Sequence, residues 1–396
     1  MPKQSLRDAE VQRKRVLLRV DFNVPLDMGT GAISDDSRIR GSLPSIRYLV
    51  DHRAKIIICS HLGRPKGKVD EKLRMQPVAE HLSQLVGLPV SMAPDCVGRQ
   101  TRESVKELGE GDILCLENVR FHREEETNDP GFAQELASLA DIFVNDAFGT
   151  AHRAHASTVG VTNYLPAVAG FLMERELEAM GGLLNDPKLP FACVMGGAKV
   201  SDKIGLVENM LKRVNSLLIG GGMAATFLKA QGYEVGRSLV EDDKLDLAKE
   251  LLHEASKREV HLLLPADVIV ADKVEAQAPA EVVPIAMITP KDHIVDIGPQ
   301  TMELFSSELN KCRTIIWNGP MGIYEMPRFA QGTRSLVTLL STLNATTVIG
   351  GGSSTDIVRE MRLSDKMTHV STGGGATLEF LEGIPLPGVE ALLDKM

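Results

Sequence analysis

The chain has 396 residues, enough for two or three domains at roughly 150 residues each. Its 43% hydrophobic and 24% charged content is that of a soluble globular enzyme, and no apolar run approaches the roughly 18 residues of a membrane span. A net charge of -9, one Trp and four Tyr argue against a general nucleic-acid binder with aromatic stacking platforms.

The N-terminus passes directly into charged residues without the apolar core of a signal peptide, and the five cysteines are scattered with no CxxC pair. Both features predict a cytoplasmic protein with free, buried thiols and neither a disulfide framework nor a zinc site. Apolar runs then alternate with helix-like segments. In the first half the expected strands are 16–20, 56–59, 113–116 and 142–144, with helices over Met75 to Val86 and Phe132 to Ala140. Ala169 to Leu184, apolar at helical spacing, reads as a long helix between halves and ends at Asn185-Asp186-Pro187. Strands follow at 191–195, 216–219, 262–264, 314–317 and 346–349, with helices over Lys203 to Arg213 and Lys244 to Lys257. The alternation predicts repeated βα units, an α/β protein built on doubly wound parallel sheets.

Strand ends of the first half offer basic and amide side chains: Asp21-Phe22-Asn23, His61-Leu62-Gly63-Arg64, Asn118-Val119-Arg120 and Asn145 through His152, Arg153 and His155. Asn145-Asp146 reads as turn-forming, which sets His152 and Arg153 beyond the strand's carboxyl end, where ligands bind in open α/β sheets. A single arginine near a loop is as often a helix cap or surface ion pair, but four strand ends of one kind point to a small, strongly anionic ligand.

Strands of the second half end in glycine: Gly196-Gly197, Gly220-Gly221-Gly222, Asn318-Gly319-Pro320, Gly350-Gly351-Gly352 and Gly373-Gly374-Gly375. One such cluster is ordinary turn packing; several suggest backbone N–H groups approaching nucleotide phosphates. There is no GxxxxGK[ST], which excludes a P-loop, and no GxGxxG followed by an acidic ribose ligand. Ser201 is placed to cap a helix, which sets Lys203 in a first turn where it opposes the helix dipole unless an anion intervenes.

These motifs, in this order and spacing, resemble phosphoglycerate kinases over essentially the whole chain. They include Arg19 to Pro25, Ser60 to Pro65, Glu117 to Phe121, Asn145 to His155, Gly196 to Lys203, Gly220 to Ala224, Trp317 to Gly322 and Ser371 to Ala376. The resemblance implies two doubly wound domains facing a cleft and joined by a helix: 1–170 with tail 381–396 for 3-phosphoglycerate, 171–185 as the joining helix, and 186–380 for nucleotide. It implies a cytoplasmic, monomeric enzyme that passes a phosphoryl group between 1,3-bisphosphoglycerate and ADP, using Mg2+ and neither nucleic acid nor membrane. Substrate-binding positions carried over are Asp21, Phe22, Asn23, Arg38, His61, Leu62, Gly63, Arg64, Arg120, His152 and Arg153. Catalytic positions are Arg38, Lys199, Lys203, Gly374 and Gly375. Nucleotide positions are Gly197, Lys203, Gly220, Gly221, Asn318, Glu325, Gly350, Gly351, Gly352, Ser353 and Ser354.

Two positions depart from the family. Ser353 stands where an Asp usually follows the third glycine, which leaves the metal ligand open, with Asp356 three residues on as a replacement acting directly or through water. Gln300 stands where Lys is common. The rival readings are a two-domain NAD-dependent dehydrogenase, disfavoured by the missing ribose acid, and a hinge-type anion-binding protein, which has no need of Lys199, Lys203 and the glycine turns.

Overall fold

The computed structural model describes residues 2–27 and 29–395. Two compact units are present: Met1–Glu178 with Pro385–Met396, and Ala179–Ile384.

Six parallel strands form the sheet of the first unit: β1 Arg15–Val20, β2 Lys55–Cys59, β3 Val90–Met92, β4 Ile113–Cys115, β5 Ile142–Asp146 and β6 Ala167–Ala169. Their spatial order is β3-β4-β2-β1-β5-β6. Runs such as Ile56-Ile57-Ile58 are buried throughout, as a parallel sheet covered on both faces requires. The helix Gln76–Val86 carries Pro in its first turn and ends on Gly87, whose φ of 78° is the left-handed cap that glycine adopts most readily. The chain's end returns here. Gly388 N–H donates to the Ala151 carbonyl at 2.8 Å and Leu393 N–H to that of Ala167 at 3.0 Å.

A second six-stranded parallel sheet organises the other unit: β7 Phe191–Met195, β8 Ser216–Ile219, β9 His261–Leu263, then β13 Thr314–Asn318, β14 Thr346–Gly350 and β15 His369–Val370, in the order β15-β14-β13-β7-β8-β9. Between β9 and β13 lies an antiparallel sheet of β10 Asp267–Ala271, β11 Ala280–Pro284 and β12 His293–Ile297, which the sequence reading passed over. β11 is largely exposed and ends on Pro284, so it lacks the buried apolar run that marks the central strands of the two large sheets. In both large sheets the strand order reverses beside the first strand of the unit, β1 against β5 and β7 against β13. Crevices at such reversals receive ligands at the strands' carboxyl ends.

Two local expectations are corrected. Asn145 and Asp146 belong to β5 and are buried: the Asn145 amide donates to the Gly388 carbonyl at 3.1 Å, and Asp146 Oδ1 accepts from Leu172 N–H at 2.8 Å. Ser201 caps nothing. It opens a short 3-10 turn, Ser201–Lys203, and its hydroxyl is taken by Glu241. The α-helix starts afterwards, at Ile204–Met210.

Candidate active site

In the first unit the ends of β1, β2, β4 and β5 converge. Asp21, immediately after β1, accepts from Arg38 Nη1 at 2.9 Å and from Asn23 N–H at 3.3 Å. Asn23 Oδ1 accepts the N–H of Gly63 at 2.8 Å, and Arg120 Nη1 donates to the Gly63 carbonyl at 2.9 Å. Gly63 has φ 63°, and a Cβ there would lie 2.7 Å from Leu73 Cδ2, so both conformation and space call for glycine. One loop therefore ties three strand ends together. Asn118 supports it, donating to the carbonyls of Leu62 at 2.8 Å and Leu73 at 2.9 Å.

Arg120 is 3% exposed, yet its Nε and Nη2 have no hydrogen-bond acceptor; Glu126 is 3.4 Å from Nε without bonding geometry. Burial, with Arg19 and Arg153 close by, pulls its guanidinium down to about 10. The same surroundings act on His61, whose pKa lies well below its ordinary value through burial and the nearby Arg19, Arg120, Arg38 and Arg153. Burying cations beside one another with donors unmet is costly unless an anion completes the site.

Other predicted residues take different places. Phe22 and Leu62 side chains lie in the hydrophobic core, so only their backbone can face a ligand. Arg64 is exposed and makes no hydrogen bond among the described residues. Arg153 Nε donates to His152 Nε2 at 3.1 Å, which aligns the two side chains. Arg19, Glu125 and Ser157 carry no role in the sequence-based expectations. Fully buried Glu125 accepts from Ser157 N–H at 2.9 Å and Oγ at 2.6 Å, and Arg19 Nε donates to that same Oγ at 2.8 Å. An arginine inside the apolar run Val-Leu-Leu-Arg-Val was the available signal.

In the second unit most glycine turns close on one another and not on open space. Gly197 N–H donates to the Pro320 carbonyl at 2.9 Å, Gly221 N–H to that of Met321 at 3.0 Å, and Gly220 N–H to that of Met195 at 2.8 Å. A Cβ on Gly221 would lie 2.6 Å from Gly197 N. Close turn packing thus accounts for these three, and their amides are not available to a phosphate. Gly352 and Gly374 differ, with nothing within 4 Å of a built Cβ. They lie at the starts of the helices Gly352–Glu360 and Gly375–Glu382, whose first-turn amides have no intrahelical acceptor.

The packed turns form one wall of a cavity of about 550 Å³ whose lining includes Gly197, Ala198, Gly221, Leu239, Met321, Tyr324, Glu325 and Ser353. A mostly apolar slot with a few polar groups at its rim suits a planar heterocycle. Leu239 and Tyr324 carry no local motif, and Ala198 lies inside the Gly196 to Lys203 motif without a role read from it. Lys203 Nζ donates to the Asn318 carbonyl at 2.9 Å and to its side-chain oxygen, and burial brings this lysine down to about 8. Ser354 Oγ accepts Gly319 N–H at 2.7 Å, bracing the same turn. Lys199 is exposed. Asp356 is exposed, pairs with Arg359 at 3.6 Å and does not line the cavity. The only cluster of three metal-binding side chains among the described residues, Asp95, Cys96 and His122, is in the other unit.

The phosphoglycerate kinase family profile matches residues 6–384. The chain is 56% identical over 395 residues to the phosphoglycerate kinase of Pelotomaculum thermopropionicum, covering 100% of both, and 55% identical over 391 residues to that of Dictyoglomus turgidum, covering 98% of each. Among solved structures it is similar to phosphoglycerate kinase from Coxiella burnetii, with TM-score 0.88, 42% identity and 98% of both chains covered. With that from Pyrococcus horikoshii the TM-score is 0.83 and the identity 35%, again over 98% of both chains. A cationic, acceptor-starved pocket in one unit, an apolar slot beside free helix amides in the other, and likeness along the full length agree: the chain belongs to the phosphoglycerate kinase family.

Proposed function

We propose that this enzyme transfers a phosphoryl group reversibly between 1,3-bisphosphoglycerate and ADP, giving 3-phosphoglycerate and ATP. The buried Arg120, with two donors unmet among further arginines, is the observation that carries the reading, because it calls for a compact polyanion in the first unit. Asp21, Asn23, Arg38, His61, Arg64, Arg120, His152 and Arg153 hold 3-phosphoglycerate. The second unit holds the nucleotide, its base in the apolar slot, Glu325 towards the ribose, and Lys199, Lys203 and the amides at Gly352 and Ser353 towards the phosphates.

The acceptor is a carboxylate, ionised at neutral pH, so no general base is required. Catalysis consists of aligning two anions and neutralising the moving phosphoryl group. Arg38, Lys199, Lys203 and the amides of Gly374 and Gly375 serve that purpose. Transfer to water would waste the acyl phosphate, which is the chemical reason for a closure step during turnover. Bound with the nucleotide, Mg2+ supplies charge neutralisation at the phosphate oxygens. On this side of the cavity Ser353 would offer it a neutral hydroxyl and Asp356 lies outside, so the nucleotide phosphates and water would have to supply most of its oxygen ligands. A coupled assay with 3-phosphoglycerate and MgATP should show ADP formation that needs both compounds. Absence of ADP with fully folded protein would overturn the reading.

A further inference from the structure

Arg19 is fully buried in β1 and held from three sides: Nε donates to Ser157 Oγ at 2.8 Å, Nη1 donates to the Val20 carbonyl, and Nη2 lies 3.4 Å from His61 Nδ1. Ser157 is fixed in turn by buried Glu125, which accepts from both its hydroxyl and its N–H. A guanidinium has donors and no acceptor. The contact to His61 is therefore a hydrogen bond only when Nδ1 presents a lone pair, which places the single ring proton of a neutral imidazole on Nε2.

Asp21 is the competitor, since its Oδ1 lies 3.9 Å from Nδ1 and would favour a proton there. It is farther away than Arg19, and its two oxygens already accept from Asn23 N–H and Arg38. The charged groups acting on the ring are Arg19 and Asp21 at β1, Arg38 on the helix Ser37–Asp51, Arg120 after β4 and Arg153 after β5. Four cations against one carboxylate leave the imidazolium disfavoured. His61 Nε2 has no hydrogen-bond partner among the described residues.

We propose that Arg19 is a positioning residue that holds His61 as the neutral Nε2–H tautomer, so that the ring presents a hydrogen-bond donor to a carboxylate or phosphate oxygen of the substrate. The inference rests on reading this pocket as the 3-phosphoglycerate site. A neutral donor gives a directed bond there without a further buried cation, and one that does not fade as pH rises through the ordinary histidine range.

The test begins with the unaltered enzyme. In a long-range proton–nitrogen NMR spectrum, with His61 assigned by the signal lost in His61→Gln, Nε2 should be protonated and Nδ1 bare, with no titration from about pH 8 to about pH 5.5. A proton on Nδ1, or an imidazolium in that range, overturns the proposal. Arg19→Met should raise the KM for 3-phosphoglycerate about tenfold or more near pH 8, the scale of a lost hydrogen bond to a charged ligand. That KM should recover as pH is lowered and the released ring takes up a proton facing Asp21, and Arg19→Lys should restore much of the loss. A KM increase of the same size at every pH would mean that Arg19 acts only structurally. If Arg19→Met does not fold, the spectrum of the unaltered enzyme decides. An enzyme inactive with 3-phosphoglycerate and MgATP would sink the functional reading and leave the tautomer measurement standing.

Discussion

Arg38 is about one-third exposed, and its one partner among the described residues is the Asp21 carboxylate, so its removal costs the fold little. Its proposed work is on phosphoryl charge. Arg38→Ala should lower kcat by roughly 10³-fold or more while the melting temperature hardly moves, as coupled kinetics beside a thermal melt would read. Near-normal kcat would make it a surface residue. Ser353 offers the complementary gain. It lines the cavity proposed for the nucleotide, in the first turn of the helix Gly352–Glu360, where a carboxylate would meet both a nucleotide-bound metal and the positive end of the helix dipole. Ser353→Asp should therefore lower the free magnesium giving half-maximal rate at fixed ADP, and an unchanged titration would place Ser353 outside the coordination shell. At this scale the sequence exposed what a motif can expose. Arg120 and His61 follow short apolar strands and could be picked out. That Arg120 is buried with two unmet donors depends on Gly63 and Arg153 arriving from elsewhere in the chain, and no local pattern encodes that convergence.

The helix Phe171–Asn185 begins against Asp146, whose Oδ1 accepts the N–H groups of Leu172 at 2.8 Å and Met173 at 3.3 Å, with the hydroxyls of Ser45 and Ser42 close to the same carboxylate. Burial, only partly offset by these groups, raises this carboxyl to about 6. Since the folded value lies above the unfolded one, the contribution to stability is present below about pH 4 and lost as pH rises through about 6. Asp146→Asn keeps an acceptor for the helix and removes the buried charge. It should raise stability on the order of 1 kcal/mol at pH 7 to 8, with no gain near pH 4, in denaturant melts across pH. A difference independent of pH would show that the ionised carboxylate is not the cost. Sequence reading made Asn145-Asp146 a turn because these residues favour turns; the structure uses their polarity inside a strand end, to hold the returning tail and a helix start. The central parallel strands were legible because each is a short, mostly buried apolar run, whereas Val90–Met92, Ala167–Ala169 and His369–Val370 are too short to carry such a pattern. In the antiparallel sheet β11 is mostly exposed and offers no such run. The glycine clusters were legible as turns, but whether a glycine serves a ligand or a neighbouring backbone depends on what packs against it: Gly221 meets Gly197, whereas Gly352 meets nothing.

Across the whole molecule the chain's last residues belong with its first. Leu386, Val389 and Leu392 are buried, Gly388 bonds to Ala151 just before His152, and Gln4 N–H donates to the Leu393 carbonyl at 2.8 Å. Deleting 385–396 should abolish 3-phosphoglycerate binding and lower the melting temperature of the first unit, while MgADP binding survives. Equal loss of both ligands would contradict the autonomy of the second unit. The family likeness along the full chain was readable from motif order, whereas this return of the tail came only from the resemblance. In the proposed function each unit holds one substrate through its own cation, Arg120 in the first and Lys203 in the second. Calorimetric titration of 3-phosphoglycerate and of MgADP into the unaltered enzyme, Arg120→Met and Lys203→Met separates the two. Both variants replace a buried cation by an apolar chain of similar length, so folding should be kept. Arg120→Met should lose 3-phosphoglycerate and keep MgADP, and Lys203→Met should weaken MgADP and keep 3-phosphoglycerate; loss of the same ligand by both variants, or of neither ligand by either, would contradict the account.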